Sequence, residues 1–315
     1  MPKNIFKLIF LLAFFILGSF SSFSLYVSNA SEMPAVKRAM WVWDTNIVPS
    51  PVKSQELIKF CKTHNISILY VTAYNFNTEE IKKHYRVFNK LAHKNYIEVH
   101  ALAGDPRWAI ERYHVQSLKW VSDILIFNKA SVENERFDGM QQDVEPYALG
   151  KAWEDNSSFL VKAYLDLNGK IANLIKQEKA RLVFGVAIPF WYDEPNFCVE
   201  WNNSVKPACF HALDTVDYAA VMAYRNFADT PNGTIALSKD EVEYATKISK
   251  KVFIGQETKD EIYPEYITFA NLNEKALEKE IGKIIEVFKN QNGFGGIAIH
   301  YYESYQALLR KTGNI

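Results

Sequence analysis

The stretch Phe137-Asp138-Gly139-Met140-Gln141-Gln142-Asp143-Val144-Glu145 reads as a β-strand whose C-terminal half is polar on one face only. Strand side chains alternate with period two, so Gln141, Asp143 and Glu145 share a face while Met140 and Val144 take the other. Three polar groups in a row cannot face a layer of helices without a large desolvation cost. They are therefore expected to point into the interior of a closed sheet, near its open end. Crowded carboxylates in such a place raise the proton affinity of one of them, because adjacent charges repel in a low-dielectric site. That prepares a proton donor at neutral pH, which cleavage at a poor leaving group requires.

Outward from this strand, apolar strands and segments of helical period alternate along the chain. Strands are expected at Arg38–Asp44, Ile66–Tyr74, Tyr96–Leu102, Phe137–Glu145, Arg181–Phe190, Tyr218–Tyr224, Val252–Glu257 and Gly296–Tyr302. Helices are expected near Ser54–His64, Thr78–Lys94, Val115–Asn128, Ser157–Glu178, Lys239–Ser249, Glu274–Asn290 and Ser304–Lys311, and the stretch holding Cys198 and Cys209 reads as irregular. Such alternation specifies a parallel sheet with helices packed outside, and eight units is the number that closes a barrel. The expected fold class is α/β, a single (β/α)8 TIM barrel over residues 31–315. An open doubly wound sheet would call for a Gly-rich phosphate loop after an early strand, and the sequence has none.

Residues 1–30 read as a signal peptide: Lys3 and Lys7, an apolar run from Ile9 to Phe20, then Ser28-Asn29-Ala30 as a small-residue cleavage pattern. The alternative is an uncleaved signal anchor. A secreted or periplasmic location follows. The chain has 36 basic and 36 acidic residues, and losing the leader removes two lysines and no acids. A near-neutral chain without a basic cluster excludes nucleic acid as a partner, and no membrane contact is expected beyond the anchor alternative. Export permits a disulfide between Cys198 and Cys209 across a short loop, whereas Cys61, on an amphipathic helix, reads as a small buried apolar residue. No zinc-spaced His/Cys cluster appears, so no metal and no cofactor is expected.

In barrels of this kind the working residues sit at the C-terminal ends of the strands. There the sequence offers Trp43 and Asp44, His100, Gln141 with Asp143 and Glu145, Trp191, Tyr224 and Arg225, Glu257, and His300 with Tyr301. The carboxylates are the candidate catalytic groups. The others are candidate substrate-binding groups, with Trp43, Trp191 and Tyr301, together with Trp41 and Trp108, as stacking platforms for flat apolar sugar faces. His100 and His300 are candidate partners of sugar hydroxyls or of Glu257, and Arg225 a candidate for an anionic substituent or an ion pair.

The segment Asp138-x-x-Gln141-x-Asp143-x-Glu145 resembles the Asp-x-x-Asp-x-Asp-x-Glu signature of chitinase-type family 18 glycoside hydrolases, with Gln141 at the second Asp. Met222-x-Tyr224-Arg225 is similar to that family's Met-x-Tyr-Asp, with Arg225 at the Asp. Gly295-Gly296 through His300 resembles its last strand, with His300 at the terminal Trp. The resemblance implies a TIM barrel with Glu145 as general acid. It further implies that Asp143 holds the substrate's acetamido group, which serves as nucleophile. A second resemblance, to clan A retaining glycosidases, pairs Glu145 after strand four with a nucleophilic Glu257 at the end of strand seven. Two such carboxylates act by double displacement when they stand about 5–5.5 Å apart.

Both resemblances imply a glycosidase with Glu145 as proton donor; a monomer acting on an extracellular or cell-envelope polysaccharide is expected. The competing expectation is a carbohydrate-binding barrel without catalysis, which the departures at Gln141, Arg225 and His300 would suit. An esterase or amidase would need a G-x-S-x-G elbow or a cysteine nucleophile, and the sequence offers neither.

Overall fold

The computed structural model describes residues 36–74, 76 and 78–311; the signal segment expected over residues 1–30 lies outside them. The elements run β1 (Arg38–Val42), α1 (Pro51–Thr63), β2 (Ile68–Thr72), α2 (Glu79–His93), β3 (Glu98–Ala103), α3 (His114–Lys129), β4 (Gly139–Gln142), α4 (Lys151–Gln177), β5 (Val183–Pro189), β6 (Cys198–Trp201), β7 (Ser204–Pro207), α5 (Ala208–Thr215), β8 (Tyr218–Met222), α6 (Lys239–Ile248), β9 (Lys251–Glu257), α7 (Glu274–Phe288), β10 (Phe294–His300) and α8 (Tyr302–Lys311). Eight of the strands close a parallel barrel in the order β1-β10-β9-β8-β5-β4-β3-β2. The chain is a (β/α)8 TIM barrel, as the alternation predicts.

Local chemistry sets the helix starts. Ser50 and Thr78 cap α1 and α2 by accepting from the backbone N–H three residues on, and Asn273 does the same for α7. Each helix then lays one apolar stripe on the sheet. In α7 the stripe is Leu277, Ile281, Ile284 and Phe288, all buried.

The two strand faces carry two cores. Outward side chains such as Met40, Leu69, Met140 and Ile254 pack beneath the helices. Inward ones, among them Trp41, Tyr70, Leu102, Tyr218 and Phe253, fill the barrel itself. Tyr70 and Tyr218 stack there with ring centroids 5.9 Å apart. Gly185 makes room for that layer, since a Cβ on it would lie 2.0 Å from the Tyr218 ring.

Two expectations are corrected. The stretch after β5 is not irregular: β6 and β7 form an antiparallel hairpin, and α5 supplies the helix of that unit. Its turn, Asn202-Asn203, has φ of 48° and 59°, the left-handed pair that a two-residue type I′ hairpin demands and that Asn tolerates. The Cys198–Cys209 disulfide is also absent, and both thiols are free. Cys198 opens the exposed edge of the hairpin, whereas Cys209 is buried on the inner side of α5, so the two side chains face different surroundings.

Candidate active site

Strand parity and register assemble the site at the C-terminal end of the barrel. Pairing of β3 with β4 and of β4 with β5 sets Gln141 between Leu102 and Gly185, facing inward and fully buried. Two residues further on, Asp143 rises above it, half-buried, its backbone N–H still donating to the Ala103 carbonyl at 3.0 Å. The chain leaves the sheet after Asp143, and Glu145 caps the short helical turn Pro146–Leu149 above it. The strand expected to reach Glu145 ends at Gln142, so the pairing carries the inward face only through Gln141.

Asp143 and Glu145 share one electrostatic environment. Burial, then the charge of Glu145, pushes the Asp143 carboxyl up to about 7, and His300 pulls the other way. Among the described residues no donor reaches Asp143 Oδ1 or Gln141 Oε1, and no acceptor reaches Gln141 Nε2. Glu145 Oε1 accepts from the Tyr147 hydroxyl. The Tyr224 phenol is held well above its ordinary value by burial, with Glu257, Asp143 and Glu145 all adding to the effect.

Glu257 reaches the site along a different path. The β9–β10 register pairs it with His300, and its Oε2 lies 2.8 Å from His300 Nδ1. Its Oε1 accepts from the backbone N–H groups of Thr258 at 2.9 Å and Lys259 at 2.7 Å. The residue is 2% exposed. His300 in turn accepts at Nε2 from the Trp43 indole N–H, 3.2 Å away, and its ring stacks on Tyr224 at 5.9 Å. Tyr301 lies edge-on to His300 at 5.0 Å.

On the opposite side Trp191 follows β5 and meets Tyr147 edge-on at 5.3 Å, with Trp153 and Phe197 behind it at 5.9 and 4.6 Å. Tyr147 thus joins an aromatic wall to the Glu145 carboxylate. Sequence reading missed it, although a Tyr two residues beyond the strand-end Glu is the signal that could have found it.

Three expected site residues are not brought together with these, and a fourth, Gln141, lies below them. His100 faces inward but three residues before the end of β3, in the lower barrel, where its Nδ1 pairs with the Tyr218 hydroxyl at 2.8 Å. It is 3% exposed, so parity places it correctly and height does not. Asp44 turns to its own loop, accepting from the Asn46 backbone and side chain and pairing with Lys53 at 3.2 Å. Arg225 is buried between the rings of Phe190 and Tyr266 and donates to the Tyr224 carbonyl and to Asn232; the side-chain partner of Glu257 is His300 instead. Gln141 lies beneath Asp143, fully buried. Trp41 and Trp108, also expected as platforms, are core residues at 1% and 6% exposure.

No protein-family profile matches the chain, and no curated protein matches it. Solved structures do. The chain is similar to a chitinase of Bacteroides thetaiotaomicron at 12% identity and a TM-score of 0.53, over 89% of this chain and 97% of that one. It is similar to a GH18 chitinase of Pseudoalteromonas aurantia at 10% identity and 0.54, over 89% and 100%. It is likewise similar to a GH18 chitinase of Cycas revoluta, solved in complex with (GlcNAc)3, at 13% and 0.51, over 89% and 99%. What the chain has in common with these chitinases at such identities is the barrel fold, traced over nearly its whole described length.

Proposed function

We propose that the protein is an exported glycoside hydrolase that cleaves O-glycosidic bonds of an extracellular or cell-envelope polysaccharide, with Glu145 as the proton donor. The observation that carries this reading is the pair formed by Asp143 and Glu145: two neighbouring carboxyl groups at the barrel mouth, with the proton affinity of Asp143 raised by burial and by the charge of Glu145. In the proposed reaction the Glu145 proton passes to the leaving glycosidic oxygen as the bond to the anomeric carbon breaks. The carboxylate so formed then takes a proton from the water that completes hydrolysis. Trp191, Tyr301 and Trp43 are the proposed stacking surfaces.

The chitinase structures that share the fold, one of them holding (GlcNAc)3, support a substrate with 2-acetamido sugars. In that case the acetamido oxygen is the nucleophile, with Asp143 and Tyr224 beside it. The engaged oxygens of Glu257 favour this over direct attack by Glu257. The second reading, a carbohydrate-binding barrel, rests on the uncharged Gln141 beneath Asp143.

The deciding experiment is Glu145→Gln against a panel of chromogenic and native oligosaccharides. The enzyme reading expects kcat to fall by about 10²–10⁴-fold while oligosaccharide binding, followed by tryptophan fluorescence, is retained. A wild-type protein that binds a glycan but releases no reducing ends from any of them favours the binding barrel.

A further inference from the structure

The hydrogen bonds around His300 determine where its proton sits. An indole N–H can only donate, so the 3.2 Å contact from Trp43 Nε1 occupies the lone pair of His300 Nε2. The ring proton is then on Nδ1 and is donated to Glu257 Oε2 at 2.8 Å. Glu257 is itself fixed by two backbone N–H groups on Oε1. The result is a directional chain, Trp43 to His300 to Glu257, anchored on the backbone just beyond β9. His300 carries it along the rim of three neighbouring strands, with Tyr224 stacked on its ring and Trp41 edge-on at 5.6 Å.

We propose that Glu257 is a positioning residue: it holds His300 in the Nδ1–H tautomer, and through that tautomer sets the Trp43 indole as a wall of the sugar-binding site. The activity arm of the test rests on the glycosidase reading above; the spectroscopic arm does not. Glu257→Gln is the informative change. The Gln oxygen can keep the two backbone bonds, which turns the amide NH₂ toward His300. His300 must then accept at Nδ1 and place its proton on Nε2, donor against donor with Trp43, and the indole loses its partner. Replacing a carboxylate that orients an imidazole by its amide can leave the geometry intact and still impose the wrong tautomer.

The test uses the full chain labelled with ¹⁵N-histidine and ¹⁵N-tryptophan. His300 signals are assigned by loss in His300→Gln, and Trp43 signals by loss in Trp43→Phe. Long-range ¹H–¹⁵N spectra are expected to show the wild-type His300 proton on Nδ1, and Glu257→Gln to move it to Nε2 with a shift of the Trp43 indole resonance. A wild-type proton on Nε2, or a tautomer unmoved in Glu257→Gln, overturns the proposal. On an oligosaccharide substrate, Glu257→Gln is expected to lower kcat/KM on the order of a hundredfold, as misplacement of a positioned group does, mainly through KM. In a His300→Phe background the same change is expected to cost nothing further. Equal loss in both backgrounds would make Glu257 the nucleophile and end the positioning role. Should His300→Phe fail to fold, His300→Gln takes its place. If the wild type turns over no substrate, the glycosidase reading falls alone, and the tautomer result still decides this one.

Discussion

The Tyr147 hydroxyl donates to Glu145 Oε1 while its ring meets Trp191 edge-on. One side chain thereby ties the proton donor to the aromatic wall. Removing the hydroxyl leaves the ring packing in place and frees one carboxylate oxygen. Tyr147→Phe is expected to lower kcat/KM about tenfold, in line with about 1.5–3 kcal/mol for a hydrogen bond to a charged group, discounted for partial exposure. Its thermal midpoint is expected to stay within a few degrees of wild type. Steady-state kinetics with thermal melts checks both. Unchanged kcat/KM would mean that Glu145 does not depend on this donor.

Asp143 makes stability pH-dependent. Burial first and the Glu145 charge second raise its carboxyl from 3.8 to about 7, against an opposing contribution from His300. Between those values the native protein keeps a proton that the unfolded chain has released. The unfolded state therefore binds fewer protons, and stability falls as pH rises through this window. The contribution is fully present below 3.8 and is lost as pH passes about 7. Asp143→Asn mimics the protonated form at every pH. Its melting temperature is expected to match wild type at the acid end and to exceed it increasingly toward neutrality. Thermal midpoints across the range test this, and parallel profiles would show that Asp143 is not the source.

Much of this architecture is legible in the chain itself, for identifiable reasons. The barrel follows from period and alternation, which depend only on local sequence. The inward face of Gln141 follows from parity. Strand ends are less legible. Tyr96 looks like the start of β3 but is a positive-φ turn residue, 93% exposed, and the strand begins at Glu98. The fourth strand stops pairing at Gln142, short of Glu145. Helix α4 starts at Lys151, six residues before the Ser157 expected from its periodicity, because a break at Asn156 interrupts the pattern. The links from Trp43 to His300 and from His300 to Glu257 cross sequence gaps of 257 and 43 residues. They depend on register and on side-chain height, neither of which periodicity contains. The height of His100 in the barrel is hidden for the same reason.

The free thiols give a direct chemical prediction. Burial raises the Cys61 and Cys209 thiols far above their ordinary range, while Cys198 is exposed. Thiolate is the reactive form. One thiol per chain is expected to react quickly with a disulfide reagent under native conditions, and all three after denaturation. Cys198→Ser should abolish the fast phase without moving the thermal midpoint by more than a few degrees. A native protein with no fast thiol, and a mobility change on reduction, would restore the Cys198–Cys209 bridge.

Gly104 bears on the site more than its lack of a side chain suggests. It follows β3, and a Cβ placed there would lie 1.8 Å from the Asp143 carbonyl oxygen. Its own N–H and carbonyl are held by the Tyr74 hydroxyl, each at 2.9 Å. The backbone therefore cannot shift away without losing those bonds, and the Asp143 segment must move instead. Gly104→Ala is expected to cost about 1–3 kcal/mol by overpacking. It should also lower catalysis by more than that stability loss explains, because it displaces Asp143 relative to Glu145. Gly282, inside α7, is the matched control, since a Cβ added to it would meet nothing within 4 Å. There the helix gains what glycine withholds, and Gly282→Ala is expected to stabilise by about 0.8–1.0 kcal/mol with activity unchanged. Chemical denaturation and kinetics of the two variants together separate a local steric demand at the site from a general intolerance of glycine replacement. If Gly104→Ala behaves as Gly282→Ala does, the close approach of Gly104 to Asp143 has no energetic weight.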